Sequence, residues 1–299
     1  MHEKFFFLTL PSYIIILLPA FLITGPFLSD LGVSLVAIIF IINSIKNKLF
    51  KYFNNVFFKI FLIFWLIIIF SSLLSDNPII SLKNSFFYFR FGVFSLCFWY
   101  LLTVNKSLLK YLFISILICF SSLIIDGYIQ YFFGQNLLGV KLYNEYRVSS
   151  FFGSELILGS YLSRLFPILF GLFIFLNQEK KNKLLLFFIT IIFILSEGLI
   201  FLSGERLALF FMNLSAIFII LMIREYRVYR FWTYFSSIIL ILLLLNFYPN
   251  AKHRLVDQTI NDFTRNSKDI IYIFSKPHTD MYIAAYRMFL DNKFFGVGP

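Results

Sequence analysis

Apolar residues in this chain fall in long unbroken runs, not in alternation. "FFFLTLPSYIIILLPAFLITG" comes first, and "VFFKIFLIFWLIIIFSSL" and "LLLFFITIIFILSEGLI" repeat the pattern further on. Most runs last roughly 18 to 24 residues, the length of a membrane-crossing helix; a barrel strand alternates over roughly 10. The pattern predicts nine helical spans, at about residues 5–24, 31–45, 56–74, 86–104, 108–127, 154–176, 184–202, 205–223 and 231–248. The first is read as a retained helix. One Lys precedes it, no small-x-small cleavage site follows, and further spans come after it.

Composition agrees with an all-α, polytopic transmembrane helical bundle. Hydrophobic residues make up 60% of the chain, charged residues only 14%, and Phe alone accounts for 44 positions. No soluble core hides that much apolar surface. The net charge of +11 would point to nucleic acid in a soluble protein; here its placement reports topology, and no nucleic-acid partner is expected. "SIKNKLFK", "NKSLLK", "NQEKKNK" and "REYRVYR" follow even-numbered spans, whereas "GPFLSD", "SDNPIISLKNS" and "SGER", after odd-numbered spans, are poor in Lys and Arg. The alternation places the N-terminus in the cytoplasm. Residues 1–248 read as the bundle. Residues 249–299 read as the start of a large outer loop with an amphipathic helix near Thr279–Leu290 and a Gly-rich turn, and the chain is expected to continue past Pro299. Cys97 and Cys119 lie in apolar runs and read as packing residues.

An ionisable group inside a bilayer is costly and is a functional candidate by default. "FLSGERLALF" places Glu205 and Arg206 in a short gap between two spans. Ser203 reads as the cap of a helix starting at Gly204, with Glu205 in its first turn, where a carboxylate is favoured. Arg206 is disfavoured there, so it reads either as a phosphate ligand beside the helix N-terminus or as a snorkelling side chain at an outer turn. Arg164, about 15 Å into its span, reads as the partner of an ion pair with Glu197 or as an anion contact. Arg147 lies just before that span and Glu155 opens it, and Gly153 and Gly159 permit close helix approach. Arg90, near the outer end of the fourth span, reads as an interfacial anchor or as a fourth anion-binding guanidinium. Outer-side arginines facing inward suit an anionic lipid-linked substrate such as a pyrophosphate.

No DxD or His/Cys cluster calls for a metal, and no Walker or GxGxxG motif calls for a nucleotide, so no cofactor is expected. Of three histidines, His2 is terminal and His253 and His278 lie in the outer loop; a lone loop His is more often neither catalyst nor ligand.

Three blocks, "LSGERLALF", "SSFFGSELILGSYLSRLFP" and "AAYRMFLDNKFFGVGP", resemble the O-antigen ligase/O-antigen polymerase family of bacterial membrane glycosyltransferases. The resemblance implies a multi-pass protein of the bacterial inner (cytoplasmic) membrane with its active face in the periplasm. It implies transfer of a glycan from undecaprenyl pyrophosphate, without metal, either to lipid A-core or to a growing lipid-linked glycan. By position, Arg206 matches the family's phosphate-binding arginine, and Arg147 and Arg164 are weaker matches. The family's catalytic His falls after the "GVG" block, beyond Pro299, so His278 is not promoted to that role. Lys293 stands where family members often carry Pro. The implied chemistry is inverting displacement of a pyrophosphate, with arginines stabilising the charge that builds on the leaving group. Two other readings stand beside it: a transporter or flippase for lipid-linked glycans, and a structural membrane protein without chemistry.

Overall fold

The computed structural model describes residues 5–144, 146–177, 182–247, 260–261, 276–293 and 296–298. Among them the regular elements are helical. After a short π-helical turn, Phe5–Thr9, come α1 (Leu10–Thr24), α2 (Pro26–Lys46), α3 (Val56–Leu73), α4 (Pro78–Phe86) and α5 (Phe89–Val104). Then follow α6 (Leu108–Phe133), α7 (Leu158–Asn177), α8 (Lys183–Ser203), α9 (Arg206–Met222), α10 (Arg227–Phe247) and α11 (Lys276–Asp291). Among the described residues eight helical stretches are long and apolar enough to cross a membrane, and the remaining expected span, α9, is a 17-residue apolar helix. The protein is a multi-pass helical membrane protein. Within lipid each backbone N–H and C=O needs a partner inside the segment, and helices supply it.

The segment "SDNPIISLKNS" departs from the expected loop. Pro78 takes the first turn of α4, where its missing N–H costs nothing, and α4 and α5 together form one apolar stretch from Pro78 to Val104.

The chain divides into two compact units. One comprises Met1–Leu18, Pro26–Leu108 and Asp262–Pro299; the other comprises Pro19–Gly25 and Leu109–Asn261. In the first unit α2 packs on α5 through Val36, Ala37 and Phe40 against Val93, Leu96 and Cys97. Asn55 caps α3, accepting from the Phe58 N–H at 2.8 Å. Trp65 on α3 donates to the Ser85 carbonyl at 3.1 Å. The Gly-rich turn lies in the same unit: a Cβ on Gly298 (φ +80°) would fall 2.3 Å from Ser81 Oγ and 2.8 Å from Ser75 Cβ.

The second unit is built from α6 to α10. Phe120, Leu123, Leu158, Leu162, Leu169, Phe173, Leu199 and Phe201 are fully buried in its core. Its helices run antiparallel, so one end gathers the Lys/Arg-rich connections. Two of those arginines have a structural task. Arg227 donates to the carbonyls of Ile220 (3.0 Å) and Leu221 (2.8 Å), and Arg230 donates to those of Ile219, Ile223 and Glu225. Ile220, Leu221 and Ile223 lie at the end of α9, where a helix leaves its last carbonyls without helical partners and cations are favoured. Cys97 and Cys119 are buried and unbridged, as expected of packing residues.

Candidate functional site

The Lys/Arg-poor end of the second unit carries the residues of interest. α8 ends at Ser203, and Gly204 closes it in the left-handed conformation (φ 69°, ψ 23°), its N–H reaching the Phe201 carbonyl at 3.1 Å. Glu205 is extended, and Arg206 is the first residue of α9. Two residues thus reverse the chain. This corrects the reading of Ser203 as a cap of the following helix: its hydroxyl donates back to the Ile200 carbonyl at 2.8 Å. Glu205 precedes the first turn of α9 and its side chain makes no capping bond there.

The Glu205 carboxylate instead crosses to α7. Oε1 accepts from the Gly159 N–H at 2.6 Å; Oε2 accepts from the Ser160 N–H at 2.9 Å and the Ser160 hydroxyl at 2.7 Å. A carboxylate on free N–H groups at the positive end of a helix dipole is favourable on both counts. Gly159 makes room for it. A Cβ there would lie 3.0 Å from Glu205 Oε1, 3.0 Å from Ser203 Oγ and 3.1 Å from Ala208 Cβ. Gly153, by contrast, serves a turn at φ +64° with open space around it.

Arg147, in the loop that joins α6 to α7, is buried, 5% exposed. Its Nε donates to the Ser203 carbonyl at 2.7 Å, and the neighbouring Val148 N–H reaches the Leu202 carbonyl at 3.3 Å. The guanidinium sits at the negative end of α8, where a cation is stabilised. Arg206 is half-buried on the same corner.

The loop is held by a polar network that the sequence reading missed. Asp126 and Gln130, both fully buried near the end of α6, face it. Asp126 accepts from the Leu137 N–H (2.9 Å) and the Ser150 hydroxyl (2.7 Å). Gln130 accepts from the Ser149 and Ser150 N–H groups at 2.9 and 2.7 Å. Asn136 donates to the Ser150 carbonyl at 2.9 Å. Residues four apart share a helix face, so "DGYIQ" at the end of an apolar run carried the signal.

The other candidates are distributed as follows. α7 begins at Leu158, so Arg164 lies only about 9 Å along its axis, shallower than expected, and it is exposed. It sits four residues after Ser160 and shares that face, the one turned to Glu205. Its expected pairing with Glu197 is absent. Glu197 is fully buried in α8, and its oxygens make no well-formed hydrogen bond, although the Ser237 hydroxyl on α10 faces them. Glu155 is exposed and precedes α7 instead of opening it. Arg90 belongs to the first unit, where it pairs with Asp30 at 2.9 Å across α5 and α2. His278 is in α11, but its side chain lies outside the described residues, as do His2 and His253.

The structure therefore brings Arg147, Glu205 and Arg206 together, with Arg164 one turn below Ser160. Fold and site define a polytopic helical membrane protein with a charged corner at one end of a helical unit. No family model, no curated protein and no solved structure matches the chain.

Proposed function

We propose that this protein is a membrane glycosyltransferase of the O-antigen ligase/polymerase type, acting on a pyrophosphate-linked lipid glycan. One observation carries the reading. Glu205 is committed to α7, so the first turn of α9 has no side-chain cap and begins with Arg206. A helix N-terminus beside a guanidinium is suited to a phosphate. Arg164, one turn below Ser160, is a second cation for the same anion. Arg147 and Glu205 build the corner. The corner lies at the Lys/Arg-poor end of its unit, which the positive-inside rule assigns to the outer face, the periplasm in the bacterial inner membrane.

In the reaction the acceptor hydroxyl attacks the anomeric carbon. The bond from that carbon to the pyrophosphate oxygen breaks, and the electron pair leaves with undecaprenyl pyrophosphate. A base takes the hydroxyl proton. The guanidinium of Arg206 stabilises the leaving group more as its charge builds than before. The acceptor is lipid A-core in a ligase and another lipid-linked glycan in a polymerase.

The test uses the full-length gene product in two bacterial strains, one lacking its O-antigen ligase and one lacking its polymerase, read on lipopolysaccharide gels. Arg206→Ala is expected to abolish transfer while the protein remains inserted and abundant. Arg206→Lys is expected to stay impaired, because an ammonium cannot form the two-pronged contact. Full activity of Arg206→Ala would remove the phosphate-site reading. The second reading, transport of the same glycan, is favoured by Glu197, a buried carboxylate inside a membrane span.

A further inference from the structure

Glu197 has no role in the site just described. It lies on α8, six residues before Ser203, fully buried, with both carboxylate oxygens lacking a well-formed hydrogen bond. A carboxylate without a cation in such a place is strongly disfavoured, whereas a neutral acid is tolerated. No cation faces it. The titratable groups on the neighbouring stretches are phenols: Tyr234 on α10, and Tyr128 on α6, whose hydroxyl donates to the Leu195 carbonyl at 3.0 Å. Neither α7 nor α9 presents an acid or base to it, since Arg164 is exposed and Arg206 lies on the corner. The Ser237 hydroxyl facing Glu197 already donates to the Tyr234 carbonyl at 2.8 Å. Its lone pairs are therefore left for a donor, and a protonated Glu197 is one.

A second feature leads to the same residue. A small cavity of about 40 Å³ lies among α7, α8, α9 and α10. It starts at Leu186 and Arg230, in the first turns of α8 and α10 at the Lys/Arg-rich end, and reaches Phe193 and Tyr234. Its polar lining is Thr190, Tyr229, Arg230, Thr233 and Tyr234. Tyr234 donates to Asn213 at 2.9 Å. Glu197 is the next turn of α8 after Phe193, and Ser237 the next turn of α10 after Tyr234. The cavity and the carboxyl thus lie on one continuous seam. Hydroxyls at this spacing give bridging waters their partners.

We propose that Glu197 is a proton-binding site within the membrane, loaded from the Lys/Arg-rich end along the seam between α8 and α10. The occupant is a proton, taken up by the carboxylate and given back to water in the cavity. The proposal rests on neither reading of the overall function.

The probe is dicyclohexylcarbodiimide on the intact protein in lipid vesicles, with adducts located by mass spectrometry. The reagent takes the carboxyl proton, the carboxylate oxygen adds to its central carbon, and the product rearranges to a stable N-acylurea, so only a protonated acid in an apolar setting is marked. Labelling is expected at Glu197. It is expected to fall roughly tenfold for each pH unit above its midpoint, as one proton requires. It is expected to follow the pH of the compartment at the Lys/Arg-rich end and to be lost in Glu197→Gln. The wild-type pH series decides the matter even if that variant does not fold. Labelling that is absent from Glu197, independent of pH, or tied to the opposite compartment would overturn the proposal. Protection by sodium would overturn it in favour of a metal cation.

Discussion

Glu205→Gln is the most informative substitution at the corner, because it keeps shape and removes only acceptor capacity. Both carboxylate oxygens are in use, one by the Gly159 N–H and the other by the Ser160 N–H and hydroxyl. A carboxamide has one oxygen. Whichever way it turns, its NH₂ meets a backbone N–H, and at least one donor at the start of α7 loses its partner. A hydrogen bond to a charged group is worth about 1.5–3 kcal/mol, and an unpaired buried donor costs about 1–3 kcal/mol. Glu205 is only half-buried, so water recovers part of the loss, and about 2 kcal/mol remains. At 1.4 kcal/mol per decade that is about thirtyfold in the local opening equilibrium. Hydrogen–deuterium exchange in lipid nanodiscs reads it directly. The Gly159 and Ser160 amides are expected to exchange about thirtyfold faster, with the middle of α8 unchanged. Equal exchange in wild type and variant would refute the assignment of Glu205 to α7 and return it to its own helix.

Other substitutions separate structural from incidental charges. Arg90→Ala is expected to cost less than about 1 kcal/mol, because its partner Asp30 is 57% exposed and such pairs are weak; a large drop in the thermal midpoint would show a buried role. Asp126→Asn is expected to lose about 1–3 kcal/mol and to open the loop before α7 to limited proteolysis; unchanged cleavage would dismiss the network as its anchor. Gly159→Ala gains about 1 kcal/mol of helix propensity but crowds Glu205 and Ser203, costing about 1–3 kcal/mol, so thermal stability is expected to fall. A rise would mean that the corner is looser than its distances.

The spans were legible because lipid imposes one rule on every residue: a long apolar run must be helical. α9 obeyed it even at 17 residues. α4 was not legible, because Lys83, Asn84 and two serines look like a loop until Pro78 and the serine contacts of α3 place them on a helix. The corner was half legible. Glu205 and Arg206 stood out as charges in an apolar region, but the direction of Glu205 depends on α7, 45 positions earlier, which no local pattern encodes. Arg90 and Asp30 illustrate the same limit, since their pairing joins residues 60 apart. Asp126 and Gln130 were visible as an i, i+4 pair, yet three of the loop donors they satisfy, the N–H groups of Leu137, Ser149 and Ser150, belong to the backbone and carry no sequence signature.

The bond from Arg147 to the Ser203 carbonyl also sets a schedule for biosynthesis. Its two ends are 56 positions apart, with α7 and α8 between them. At roughly 5–20 residues per second the ribosome needs about 3 to 11 s to deliver the second end after the first. Throughout that interval Arg147 must remain in water or the headgroup layer, and the loop can fasten to α6 alone. The corner therefore closes only after α7 and α8 have been made.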